Sequence, residues 1–178
     1  MTEQDPKPQD DRRENRSDAF ERVPKTEADR VLEGRPSRAA IVEYFADRFG
    51  IAPRTFDGVS FWEKGAGRIW ALSHELPGPV QVEALGLPVL RTRQEFWKPT
   101  TDAALRFGGR ARRNVIELGP NTAERFLAGE TIEIEWDGEW GYLIGAHQIA
   151  GDRESIGVGL YTYGELKSMV PKGRRRKR

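Results

Sequence analysis

The residue types that could do covalent chemistry are few in this chain, and their spacing is unhelpful. Two histidines occur, His74 and His147. Neither has a second ligand at the helical spacing a metal site uses, and His147 falls in a strand-like stretch where an imidazole bonded to its own scaffold is expected. No serine sits in a nucleophile elbow. Glu133 and Glu135 alternate with Ile132 and Ile134, which places them on a solvated strand face rather than as a catalytic carboxylate pair. Cysteine is absent, which removes disulfides, thiol nucleophiles and thiolate metal sites. The glycines of "EKGAGR" lack the third glycine and the strand–turn–helix setting of a dinucleotide loop, and there is no Walker-type phosphate loop. Gly157 and Gly159 strip one face of a strand, either for a barrel corner, the preferred reading, or for close approach to a ligand. The expectation is a protein without a catalytic set, a metal or a cofactor.

Charge offers more. The formal net charge of the 178 residues is only +1, yet six of the last seven residues are basic: Lys172, Arg174, Arg175, Arg176, Lys177 and Arg178. The body before them is therefore mildly acidic, and local charge decides attraction to a polyanion. A second basic run holds Arg91, Arg93, Lys98, Arg106, Arg110, Arg112 and Arg113, opposed only by Glu95 and Asp102. Arginine forks suit phosphate oxygens, so "GGRARRN" reads as a flexible basic loop with a phosphate contact as one of two even outcomes. Phe96 and Trp97 could stack on bases, but a core position is the favoured reading for both. No amphipathic helix or lipidation motif accompanies the basic tail, which counts against a membrane surface. With no spanning run and no signal-like segment, the expected location is the cytoplasm.

The elements that must position these residues follow from periodicity. Residues 1–35 carry ten acidic and eight basic residues with few apolar ones, and are expected to be a disordered tail, apart from a fraying helix around Thr26–Leu32. Ser37 caps a helix with Ile41, Tyr44, Phe45 and Phe49 at helical spacing, stopped by Gly50. Phe61–Glu63 and Arg68–Leu72 form a hairpin, and prolines break up the stretch to about Leu87. Thereafter come a short helix capped by Thr100 or Thr101, a "NVIEL" strand and a helix with Ala123, Phe126 and Leu127 on one face. A hairpin turning at Asp137-Gly138, a Gly-rich strand and a last short strand end the chain. The fold class is α+β: a small α/β region over 36–86, then a mixed, partly closed β-barrel with two short helices.

The segments "KPTTDAALRFGGRARRNVIELGPNTAERFLAGETIEI" and "IGVGLYTYGELKSMVPKG" resemble the PUA-like C-terminal domain of RsmF-type NOP/Sun-family RNA methyltransferases. The likeness covers about residues 88–173, and the order and spacing of short motifs carry it. The preceding "IVEYFADRFGI…FDGVSFWEKGAGRIWAL" is similar to the small α/β segment found before PUA domains in archaeal RNA-associated proteins. The whole chain resembles stand-alone haloarchaeal proteins. The resemblance implies a PUA-like domain over 87–173, a pre-PUA region over 36–86 and a basic tail over 174–178. It also implies binding of structured RNA, either tRNA or rRNA, in RNA modification or ribosome assembly. A separate RNA methyltransferase or ribosomal protein is an expected companion. The family's catalytic cysteines and methyltransferase domain have no counterpart here, so catalysis is not expected. Carried across, its RNA-contacting surface falls on Lys98, Arg106, Arg110, Arg112 and Arg113, with Lys167, Lys172 and Arg174 opposite. The charge reading adds Arg91, Arg93, Arg175 and Arg176. The alternative is an interaction subunit with little RNA affinity of its own.

Overall fold

The computed structural model describes residues 18–176. Its first helix, α1 (Arg38–Phe49), starts where the Ser37 side chain accepts a hydrogen bond from the Ala40 N–H. It ends at Gly50, whose left-handed φ of 63° lets the chain turn back without a Cβ penalty. Ile41, Phe45 and Phe49 recur every fourth residue and are all buried. They pack with Phe56, Phe61 and Phe107 in the larger of two cores.

That core backs an antiparallel five-stranded sheet in sequential order. Its strands are β1 (Glu21–Arg22), β2 (Ser60–Glu63), β3 (Arg68–Leu72), β4 (Leu87–Arg91) and β5 (Lys98–Pro99). The β2–β3 hairpin was legible in the sequence, and its turn is held by the Gly67 N–H donating to the buried carboxylate of Glu63 at 2.9 Å. The same side chain accepts from Arg35 Nε at 2.6 Å, and Arg35 reaches Glu21 at 2.6 Å with its other end.

The start of the chain departs from expectation. Within the supposedly disordered 1–35, Phe20 and Val23 are fully or nearly buried, and β1 adds to the β2 edge. Phe20 also stands edge-on to Trp70 with ring centroids 5.3 Å apart. Two well-placed apolar residues suffice because they join a sheet that already exists, so the entropy of ordering is offset by ready-made contacts. The rest of that tail, 1–17, lies outside the described residues. The helix expected near Thr26–Leu32 is one 3-10 turn at Glu27–Asp29, where the Thr26 hydroxyl donates to Asp29 at 2.7 Å.

The second sheet is mixed, ordered β6-β8-β9-β10-β7. Its strands are β6 (Val115–Glu117), β7 (Thr131–Glu133), β8 (Gly141–Ile149), β9 (Asp152–Thr162) and β10 (Glu165–Ser168), and only β6–β8 is parallel. Two helices accompany it: α2 (Thr101–Phe107), capped by the Thr100 hydroxyl, and α3 (Pro120–Leu127). The fold is therefore an α+β arrangement of a small α/β region and a β-rich one.

Two further expectations change here. The boundary at 86/87 cuts through the first sheet, since β4 pairs with β3 and β5 with β4; the sheets part between Pro99 and Val115. Asp137-Gly138 does not turn a hairpin. β7 pairs with β10 instead, and residues 134–140 form a loop in which the Trp136 ring lies against Gly138. Gly157 lies opposite Gly145 where the β8–β9 ladder shifts register, between Gly145 and Ala146, the kind of irregularity the corner reading called for. Gly145, Gly157 and Gly159 form a saddle for Phe126, whose ring atoms lie 3.0–3.1 Å from where each Cβ would stand. Phe126 is fully buried, so the missing side chains let α3 dock closely.

Candidate nucleic-acid interface

The candidate surface is built where the two sheets meet. Arg68 lies directly across from Arg91 in the β3–β4 ladder, and Arg91 directly across from Lys98 in the β4–β5 ladder. Three cations thus stand side by side on one face of three adjacent strands. Directly opposed like charges destabilise a sheet, and among the described residues none of the three has an ion-pair partner. Lys98 is half-buried, and its ammonium is held below the usual lysine range by desolvation first, then by the Arg91 and Lys167 charges. Lys167 comes from β10 of the other sheet, so both halves contribute positive potential.

These residues border a cleft of about 410 Å³. Trp70, Pro88, Met169 and Pro171 supply its apolar wall. Asp102, at the start of α2, supplies the carboxylate and is held by Arg174 at 2.7 Å. Thr101 also lines the cleft; its hydroxyl is buried and has no hydrogen-bond partner. A mixed apolar and cationic wall can hold a phosphate and a flat ring together.

The basic residues singled out by sequence divide into two groups. Arg91 and Lys98 line the cleft, Lys167 lies near enough to act on the Lys98 charge, and Arg174 joins the cleft edge through Asp102. Arg93 follows β4, where its backbone packs against Gly67. Arg106 lies on exposed α2 surface with its guanidinium over the Phe107 ring at 5.8 Å. The "GGRARRN" stretch is not a flexible loop. Gly108–Arg110 is a 3-10 turn, Ala111 is buried, and the Arg112 and Arg113 N–H groups both donate to the Phe49 carbonyl. The Arg113 side chain donates to the Ala46 carbonyl at 2.8 Å, and Asn114 Nδ2 to that of Arg48 at 2.7 Å. The stretch closes the C-terminal end of α1, where carbonyls lack helical partners and cations are favoured.

The tail is likewise tied to the body as far as it is described. Arg175 lies over Gly129 and donates from Nε to the Val170 carbonyl at 3.1 Å; the Arg176 N–H donates to the Leu127 carbonyl. Lys172 is exposed in the turn before them. Phe96 overturns its core assignment, being 72% exposed, whereas Trp97 does pack inward against Tyr44. Position on the far side of the short β4–β5 link explains Phe96: only one of two consecutive residues can face the core. Arg68 was missed, because the β3–β4 link is a Pro- and Gly-rich segment whose register no local pattern announces. His147 is half-buried, with Nδ1 2.7 Å from the Leu118 carbonyl, a scaffold bond. Among the described residues no group of three or more potential ligands could hold a metal, and no helix is long and apolar enough to cross a membrane.

Residues 113–176 match the family model described as the methyltransferase RsmF PUA domain, and they form a PUA-like domain of RsmF type. Residues 7–86 match a second model, described as a family of unknown function (DUF7122). Among curated proteins, ribosomal RNA small subunit methyltransferase F of Aeromonas salmonicida (strain A449) is 23% identical over 107 residues. That alignment covers 58% of this chain and 22% of the relative, so the chain spans about a fifth of that protein's length.

Proposed function

We propose that this is a non-catalytic RNA-binding protein that acts in rRNA or tRNA modification or in ribosome assembly. The observation that carries the proposal is the row Arg68–Arg91–Lys98, three adjacent cations with no ion-pair partner among the described residues. Such a row raises the energy of the free protein and is relieved by a polyanion, which is the logic of a preformed phosphate site. The RsmF-type PUA domain supports RNA as that polyanion, and the similarity to a ribosomal RNA methyltransferase supports rRNA modification as the setting. On this reading Arg106, Arg110, Lys172 and Arg176 widen the field around the cleft and steer encounter. Crosslinking the full chain to RNA in cells and sequencing what is bound tests the proposal. Enrichment of rRNA or tRNA with crosslinks at the cleft is expected; recovery of no RNA above background contradicts it.

A second reading, a subunit that docks on another protein, has one observation in its favour. Trp140 and Tyr163 are 55% and 85% exposed and stack edge-on at 4.7 Å, a sizeable aromatic surface with nothing over it among the described residues. Stoichiometric co-purification of a protein, together with no RNA affinity, would favour this reading.

A further inference from the structure

We infer that the cleft between the two sheets takes one unpaired nucleotide of an RNA chain, and that it does not dock on duplex backbone. This rests on the RNA-binding reading and specifies its ligand. The composition of the cleft carries the inference. A duplex presents phosphates and ribose edges outward and keeps its bases stacked inside. For such a partner the cation row alone would serve, and the apolar wall beside it would be desolvated for nothing. Here Trp70, Met169 and Pro171 stand next to Arg91 and Lys98 in the same cleft. That pairing of an aromatic surface with phosphate-binding cations suits a base whose face is free to stack.

The charge layout also orients the ligand. Asp102, the carboxylate of the cleft, already pairs with Arg174, whereas Arg68, Arg91 and Lys98 have no ion-pair partner among the described residues. The phosphate therefore goes to Arg68, Arg91 and Lys98, which leaves the base directed toward Asp102 and Thr101. Thr101 is 5% exposed, and its hydroxyl is a buried polar atom with no partner, a state that costs stability unless a ligand completes it. The site is composite. Trp70 and Arg68 lie in the stretch that matches the family of unknown function, Arg91 to Asp102 lie between the two matched stretches, and Met169 and Pro171 lie in the PUA-like domain. The N-terminal sheet thus supplies the stacking surface and part of the phosphate site to the domain that follows it.

The test uses the full chain and three probes in fluorescence titrations: a single-stranded RNA carrying 2-aminopurine, the same strand in a blunt duplex, and a free nucleoside monophosphate as competitor. The single strand is expected to bind about tenfold or more tighter than the duplex, with quenching of the 2-aminopurine as it stacks. The monophosphate is expected to compete only at far higher concentration. Trp70→Leu should weaken single-strand binding by about five- to a hundredfold, the range for loss of one stacked base. Thr101→Val, which removes the unpaired hydroxyl and keeps the shape, should weaken it several-fold while raising the melting temperature of the free protein. Equal binding of single strand and duplex with unchanged 2-aminopurine emission overturns the inference and leaves RNA binding standing. Equal competition by the monophosphate assigns the cleft to a free nucleotide and overturns its RNA source. Binding of neither RNA overturns the RNA reading itself.

Discussion

The "GGRARRN" stretch and the row Arg68–Arg91–Lys98 carry the same number of cations and have opposite relations to the fold. The first is dense in sequence and its backbone is committed to Phe49, with the Arg113 guanidinium on Ala46, while the Arg110 and Arg112 side chains are exposed. The second is scattered over three strands and has no ion-pair partner among the described residues, with its cross-strand neighbours of its own sign. Local density therefore says little about availability. The backbone of an arginine run can be consumed by one helix end, while cations far apart in sequence can be brought into register by a sheet and left unpaired.

Substitutions should separate committed cations from uncommitted ones, and the largest effect belongs to the most deeply committed. Arg35 and Glu63 form an ion pair with side chains only 9% and 6% exposed. Arg35→Ala removes the cation of this buried ion pair with Glu63, and is expected to cost about 3–5 kcal/mol in urea unfolding. A change below about 1 kcal/mol would mean that the N-terminal segment contributes little to the first sheet. Arg113→Ala, at the exposed end of α1, should cost about 0.5–1.5 kcal/mol, the usual worth of one hydrogen bond and a favourable helix-end charge.

The smallest effect lies in the row itself and appears as pH dependence. The folded pKa of Lys98 is depressed below its unfolded value by desolvation and by Arg91 and Lys167. In the window between those two values the unfolded state binds more protons, so stability rises with pH there rather than falling. RNA binding has the opposite sign, because a phosphate favours the charged ammonium; affinity should fall as pH rises through the depressed folded pKa. Lys98→Arg should abolish both alkaline trends, as arginine stays charged. An alkaline fall in affinity that persists in Lys98→Arg would place its origin elsewhere.

What the sequence showed and what it hid follow the same division between local and long-range pairing. Ser37, Thr100 and Gly50 announce helix ends through interactions a few residues long, and α1 and α2 were legible for that reason. The β2–β3 hairpin closes over the four residues Lys64–Gly67 and was equally plain. The β3–β4 ladder joins strands across residues 73–86, a stretch with no regular pattern, so Arg68 could not be placed beside Arg91. Asp137-Gly138 misled because turn chemistry is local, whereas the partner of β7 is β10, at the far end of the domain. Gly157 and Gly159 were noticed for the right reason, but the occupant of the stripped face, Phe126, comes from another element.

The central claim is that the row, rather than the arginine-rich stretch, is the phosphate-binding surface. The salt dependence of single-stranded RNA affinity tests it most directly in two variants, one with Arg68, Arg91 and Lys98 changed to Gln and one with Arg110, Arg112 and Arg113 changed to Gln. Removing the row, which holds one phosphate, should lower the slope of log K against log salt by about 0.7, the single-strand value for one phosphate left unneutralised, with no loss of stability in urea. Removing the stretch should lower stability and leave most of the slope in place. A slope unchanged without the row, and lowered without the stretch, would contradict the account.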